Sequence, residues 1–172
     1  MILTGNKITE EILNRKIVIE TFDTVAVTTN SYDLTLGDKL VMYTDEVLDP
    51  KKEPHIRTFE IPDEGYEMKR GEFLLGCSNE FVGSDFYVPI VHAKSSIARL
   101  GLFIHITSGL FDIGCKCNVT FHLYATMPVR LYKNMPIAQI TFWKTAGEIR
   151  LYPGKYQNDK VPVASRIYKD FK

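Results

Sequence analysis

The chain has 172 residues, enough for one domain with a real core and short for two. Its 21 basic and 21 acidic side chains cancel, which excludes binding to a polyanion through bulk charge and argues against a charged disordered tail. No apolar run approaches the roughly 18 residues of a membrane span, the N-terminus lacks a signal-like apolar stretch, and three cysteines make no disulfide framework. The expectation is a cytoplasmic protein in reducing surroundings, with neither membrane nor nucleic acid as partner.

In chain order, "ITEEILNRK" (8–16) predicts a helix, with Ile8, Ile12 and Leu13 assigned to its apolar face. "IVIE" (17–20) predicts a short strand. "SYDLTLGDKLVMYT" (31–44) alternates Tyr32, Leu34 and Leu36 against Ser31, Asp33 and Thr35, turns at Gly37-Asp38, and predicts a hairpin. Residues 45–56 are charged, carry two prolines and read as a surface loop. Two strands are expected around Lys69-Arg70-Gly71. From 88 to 107 the pattern is strand, a short helical turn over "SSIARLG" closed by Gly101, then strand again. Residues 118–143 read as three strands joined by turns. The tail from Leu151 is basic, contains glycine and proline, and reads as a flexible flap. With nine tyrosines, ten phenylalanines and many β-branched residues, one mostly-β domain closed as a barrel or sandwich is expected.

"FDIGCKCNVTFHL" (111–123) holds an acid, two cysteines and a histidine. Structural zinc sites usually separate paired cysteines by two residues or more and need four ligands, so Cys115-x-Cys117 with His122 fits poorly. On a strand, Cys115 and Cys117 share a face with Val119 and Phe121 while His122 points the other way, and small buried thiols are the simpler reading. No Cys-x-x-Cys, Gly-x-Ser-x-Gly or glycine-rich phosphate loop is present. A different cluster stands out in "HAKSSIARLGL" (92–102). Lys94, Ser95, Ser96 and Arg99 place two cations and two hydroxyls at the start of a helical turn, where backbone N–H groups already favour an anion. The competing reading is a helix cap followed by solvated basic residues.

"MILTGNKI", "NSYDLTLG", "AKSSIARLGLFIHIT", "FDIG" and "KYQNDKVPVASRIYKD" occur together in this order. The combination resembles the dCTP deaminases of the dUTPase-like superfamily across nearly the whole chain. The resemblance implies a dUTPase-like distorted β-barrel or jelly roll with a short N-terminal helix, assembled as a homotrimer with sites between subunits. It also implies Mg2+ brought in on the triphosphate of dCTP and no zinc, in keeping with the missing His-x-Glu and Pro-Cys-x-x-Cys signature of zinc deaminases. By that resemblance Lys94, Ser95, Ser96 and Arg99 hold phosphates, and Ser95 and Arg99 also reach the reaction centre. Asp112 meets the sugar 3′-hydroxyl, and the backbone of Thr120, Phe121 and His122 runs along the base. Tyr152 and Lys155 of a closing tail (152–172) cover the triphosphate, with Asp159 standing where the family has glutamine.

Four departures from the pattern concern the site. His122 stands where the family has the glutamate that moves a proton from water to the ring. Leu110 stands where it has an arginine, and Cys117 where it has a glycine. Lys94 keeps the charge of the usual arginine without its fork. Three activities follow: a dCTP deaminase with His122 as base, a dUTPase-type triphosphate hydrolase using Asp112, and a nucleotide binder without catalysis.

Overall fold

A computed structural model describes residues 1–105 and 107–171; Ile106, within the expected 102–107 strand, and Lys172, at the end of the tail, lie outside the described residues. The first helix, α1, spans Gly5–Leu13, three residues earlier than the apolar spacing suggested. Ile8 is buried, but Leu13 is 79% exposed and Glu11 takes its place inside. At 100° per residue Glu11 lies about 60° from Ile8 and Leu13 about 140° away. Glu11 is tolerated there because Lys7 and Lys16 approach its carboxylate at 2.9 and 3.6 Å.

Among the described residues eleven strands follow. They are β1 (Val18–Ile19), β2 (Tyr32–Thr35), β3 (Lys39–Tyr43), β4 (Ile56–Glu60), β5 (Tyr66–Met68) and β6 (Phe73–Gly83). After these come β7 (Val88–Ala93), β8 (Leu102–Phe103), β9 (Lys116–Ala125), β10 (Val129–Leu131) and β11 (Pro136–Trp143). A one-turn helix α2, Ser95–Ala98, separates β7 from β8. The main sheet runs β4-β3-β6-β9-β8 with β1 added to β6, a second runs β2-β11-β7, and β10 pairs with β5. The mostly-β expectation holds. Apolar residues at alternate positions on both larger sheets (Leu34, Leu74, Phe121, Leu123, Ile140, Phe142) bury completely in the core.

The expected 31–44 hairpin does not form. β2 pairs with β11, whereas β3 pairs with β4 and β6. The residues between them are taken by other strands: Leu36 donates to the Met135 carbonyl at 2.9 Å and Gly37 to that of Cys77 at 2.7 Å. With Leu34, Leu36 and Leu40 all buried, burial on both sides of the turn separates the two strands. Gly101 ends α2 as expected, at φ +76°, where a side chain would lie 2.3 Å from Thr126 Oγ1. Among the described residues no helix is long and apolar enough to cross a membrane.

Candidate functional site

A cavity of about 700 Å³ opens on the outer face of the main sheet. Its floor follows from strand alternation. On β9, Thr120 and His122 point outward while Val119, Phe121 and Leu123 enter the core. Register places Leu75 beside His122 and Cys77 beside Thr120. Tyr43 and Phe73, stacked at 6.4 Å, extend the floor towards β3.

One wall is the turn after β8. Asp112 lines it, and Cys115 closes the turn by donating its N–H to the Asp112 carbonyl at 3.0 Å. Gly114, at φ +90°, lets this turn press against the tail: an added side chain would meet Tyr152 N at 3.0 Å. The opposite wall is the tail itself. Tyr152 donates its N–H to the Ile113 carbonyl at 2.8 Å, and Gln157 bridges to the carbonyls of Gly114 and Tyr152, each at 2.9 Å. Asp159 accepts from Arg166 at 2.9 and 2.8 Å. The expected flexible flap is therefore laid along β9 here, and a 3-10 turn at Ile167–Phe171, unforeseen in the sequence, ends it.

The edge of β9 is covered on both sides of Thr120. Asn118 donates its N–H to the Asp159 carbonyl and His122 donates to that of Ile104, both at 2.8 Å. In an antiparallel ladder, alternate residues turn their main-chain groups to the same edge. Thr120 thus turns its N–H and carbonyl to the edge flanked by the tail and by the residues after β8. Its hydroxyl accepts from Val163 N–H at 3.3 Å.

His122 has a neighbour that no motif in the sequence connects to it. The rings of His105 and His122 stack with centroids 4.6 Å apart and planes 7° from parallel. Burial draws the pKa of both down, His105 to about 4, with the facing His122 as its second cause. Both are neutral near pH 7, so His122 can accept a proton. Only the pairing of β8 with β9 brings His105 to His122 across 17 positions, and no spacing in the sequence announces that. The thiols of Cys115 and Cys117 interact, which lowers the first and raises the second, while Cys77 is pushed up to about 12 by burial. All three are free and buried, and Cys115 Sγ donates to the Tyr156 carbonyl at 3.3 Å.

Five expected residues therefore meet in one cavity: Asp112, Thr120, His122, Tyr152 and Asp159. The side chain of Phe121 is fully buried, which leaves only its backbone for a ligand. Lys94, Ser95, Ser96 and Arg99 lie together elsewhere, at α2. There Ser95, Ser96 and Arg99 are exposed, Ile97 anchors the turn, and Lys94 pairs with Asp33, whose Oδ1 is buried and has no partner among the described residues. Lys155 pairs with Asp170 at the end of the tail. Leu110 lines the cavity and is 62% exposed.

Residues 2–145 match the family described as dCTP deaminase-like. Among curated proteins, the "dCTP deaminase, dUMP-forming" of Clostridium beijerinckii is 40% identical and that of Leptospira biflexa 41%, each over 172 residues. The alignments cover 99% of this chain and 99% and 98% of the relatives. Among solved structures, the 2′-deoxycytidine 5′-triphosphate deaminase of Agrobacterium tumefaciens superposes with a TM-score of 0.65 at 18% identity. That match covers 82% of this chain and 47% of the other, so this chain spans about half its length.

Proposed function

The chain belongs to the dCTP deaminase family, and we propose that it binds dCTP or a closely related cytosine deoxynucleotide and deaminates the ring, with His122 as base. Its fold is the mostly-β, dUTPase-like one. The observation that carries the reading is that Thr120 and a neutral His122 form the floor of a cavity of nucleotide size, with Asp112 on its wall. A peptide N–H and carbonyl on one edge can pair with the acceptor and donor edge of a cytosine. His122, two residues along the strand, then stands beside the ring.

The chemistry is hydrolytic. As water attacks C4, neutral His122 takes a proton from it and passes it to N3; the remaining proton of the new C4 hydroxyl then moves to N4, the C4–N4 bond breaks and ammonia leaves, so that dCTP and water give dUTP and ammonia. A carboxylate would become neutral in this cycle, whereas imidazole becomes a cation and needs a neighbour that tolerates one. Arg99 is not in this chain's cavity, so it does not oppose that charge from within the same subunit.

Exposed Ser95, Ser96 and Arg99 lie apart from the cavity of their own chain, which supports a homotrimer in which α2 of one copy completes the site of the next. The tail walls the cavity, and in this reading its Tyr152 and Lys155 close over the phosphates as a lid that excludes water. Magnesium would enter on the triphosphate and offset its charge. A cytoplasmic nucleotide pool is the setting this reading implies.

Asp112 supports a second step. It lines the same cavity, and the relatives are named dUMP-forming. A carboxylate there can orient a second water for release of pyrophosphate, which would make dUMP the product. The test is incubation with dCTP and with dUTP plus magnesium, following nucleotides by chromatography and binding by calorimetry. Uracil nucleotide from dCTP is expected, and pyrophosphate release marks the second step. Tight binding without turnover would leave a nucleotide-binding protein and end the catalytic reading.

A further inference from the structure

We propose that His105 is a positioning residue for His122, its imidazole face fixing the plane of the base and receiving the cation that His122 becomes when it holds a proton. The proposal rests on the reading of His122 as base. The geometry behind it is the near-parallel stack at 4.6 Å between centroids, well inside the roughly 6 Å over which an aromatic face attracts a cation. One carbonyl ties the two residues together: Ile104 O accepts the backbone N–H of His122 at 2.8 Å and the ring Nδ1–H of His105 at 3.2 Å. A strand hydrogen bond and a ring hydrogen bond on the same acceptor leave little freedom to slide one ring across the other.

The groups that could otherwise balance an imidazolium are limited. From β3 comes Tyr43; from the turn and the start of β9, Asp112 and the thiols of Cys115 and Cys117; from the tail, Tyr152, Tyr156 and Asp159. Asp159 is held in both oxygens by Arg166 and bonds through its backbone to Asn118, four residues from His122 and so roughly 13 Å away along the strand. None of these groups is a cause of the lowered pKa of His122, which comes from burial alone. The ring of His105, itself drawn to about 4, stays neutral when His122 takes its proton. It can therefore present a π face rather than a second positive charge.

The test compares His105→Leu, which keeps the bulk without a π face, with His105→Phe, which restores a flat ring. The readouts are kcat/KM for dCTP and the His122 titration midpoint by imidazole NMR without nucleotide. A cation–π contact of ordinary strength predicts a loss of about 2- to 30-fold in His105→Leu. The His122 midpoint should fall by roughly 0.4 to 1.5 pH in the same variant, and His105→Phe should recover both. Unchanged values in His105→Leu, or a phenylalanine variant as poor as the leucine one, would overturn the proposal. Wild type gives an answer if neither variant folds: stacked rings shift each other's C–H resonances upfield, and unshifted resonances would overturn it equally. A shifted midpoint in a protein without turnover would uphold the contact and overturn the reading of His122 as base.

Discussion

Arg166 holds Asp159 by two parallel N–H bonds, at 2.9 and 2.8 Å, seven residues apart on the tail. The backbone carbonyl of that same Asp159 accepts from Asn118 of β9. The pair therefore closes the tail on itself at the point where it meets the sheet. Asp159 stands where the resemblance placed a glutamine, and its carboxylate serves the tail rather than solvent.

Arg166→Ala should accordingly loosen the tail without unfolding the domain. Losing a half-buried, charge-assisted fork costs roughly 1–3 kcal/mol, concentrated in the docking of residues 152–171. Hydrogen exchange should rise at the Asn118 and Asn158 amides, which bond across that junction, with the β6–β9 amides unmoved. KM for nucleotide should rise more than kcat falls. Equal exchange in the two proteins would disprove the latch.

How far this arrangement was legible differs from element to element. Strands β7, β9 and β11 and the Gly101 stop were evident, because period-2 burial and a left-handed glycine are local properties. The failed β2–β3 hairpin was not: pairing depends on what Met135 and Cys77 offer to Leu36 and Gly37, and both come from distant strands. Asp112, Thr120, His122, Tyr152 and Asp159 were named through resemblance, and strand alternation then brought them to one cavity. His105 was not legible as part of the site, since the β8–β9 pairing that makes it a neighbour of His122 leaves no trace in spacing.

Gly101→Ala tests how the basic cluster is held in place. The φ of +76° disfavours any side chain, and the new methyl would sit 2.3 Å from Thr126 Oγ1, which donates to the Gly101 carbonyl at 2.8 Å. Left-handed strain and a lost hydrogen bond together cost roughly 2–4 kcal/mol, which lowers Tm by several degrees in a domain of this size. Because Gly101 ends α2, triphosphate affinity should fall with it. A variant as stable as wild type would show that the turn relaxes.

Arg99 and Lys94 should separate binding from stability. Arg99 is exposed, so Arg99→Ala should leave the melting temperature unchanged and weaken dCTP far more than deoxycytidine. Lys94→Met should lower the melting temperature as well as weaken nucleotide binding. It removes the partner of Asp33, whose other oxygen is already buried and unpartnered among the described residues, and leaving that carboxylate uncompensated costs roughly 1–3 kcal/mol. The paired variant Asp33→Asn with Lys94→Met should regain most of that stability but not the affinity, as judged by urea melts and calorimetry. If Lys94→Met is as stable as wild type, the ion pair is not structural.

The two stacked histidines also fix a pH dependence whose sign can be worked through. Each has a folded-state pKa below the 6.5 of a free imidazole, through burial, with His105 at about 4. Below 6.5 the unfolded chain binds protons that the folded chain refuses, so stability rises with pH between about 4 and 6.5 and levels off above. His105 alone contributes at most roughly 3 kcal/mol across that window. Urea melts at pH 7.5 and 4.5 should show the fall, and His105→Phe should flatten it. Turnover follows the same direction: His122 works as the neutral base, so kcat/KM should hold from pH 8 down through 6.5 and drop only below. His122→Asn should cost about 10²–10⁴ in rate with nucleotide affinity kept, and His122→Glu should restore proton transfer with an acid limb set by a carboxylate. An acid limb above pH 7 in wild type, or full activity in His122→Asn, would remove His122 from the reaction and leave Asp112 as the remaining base in the cavity.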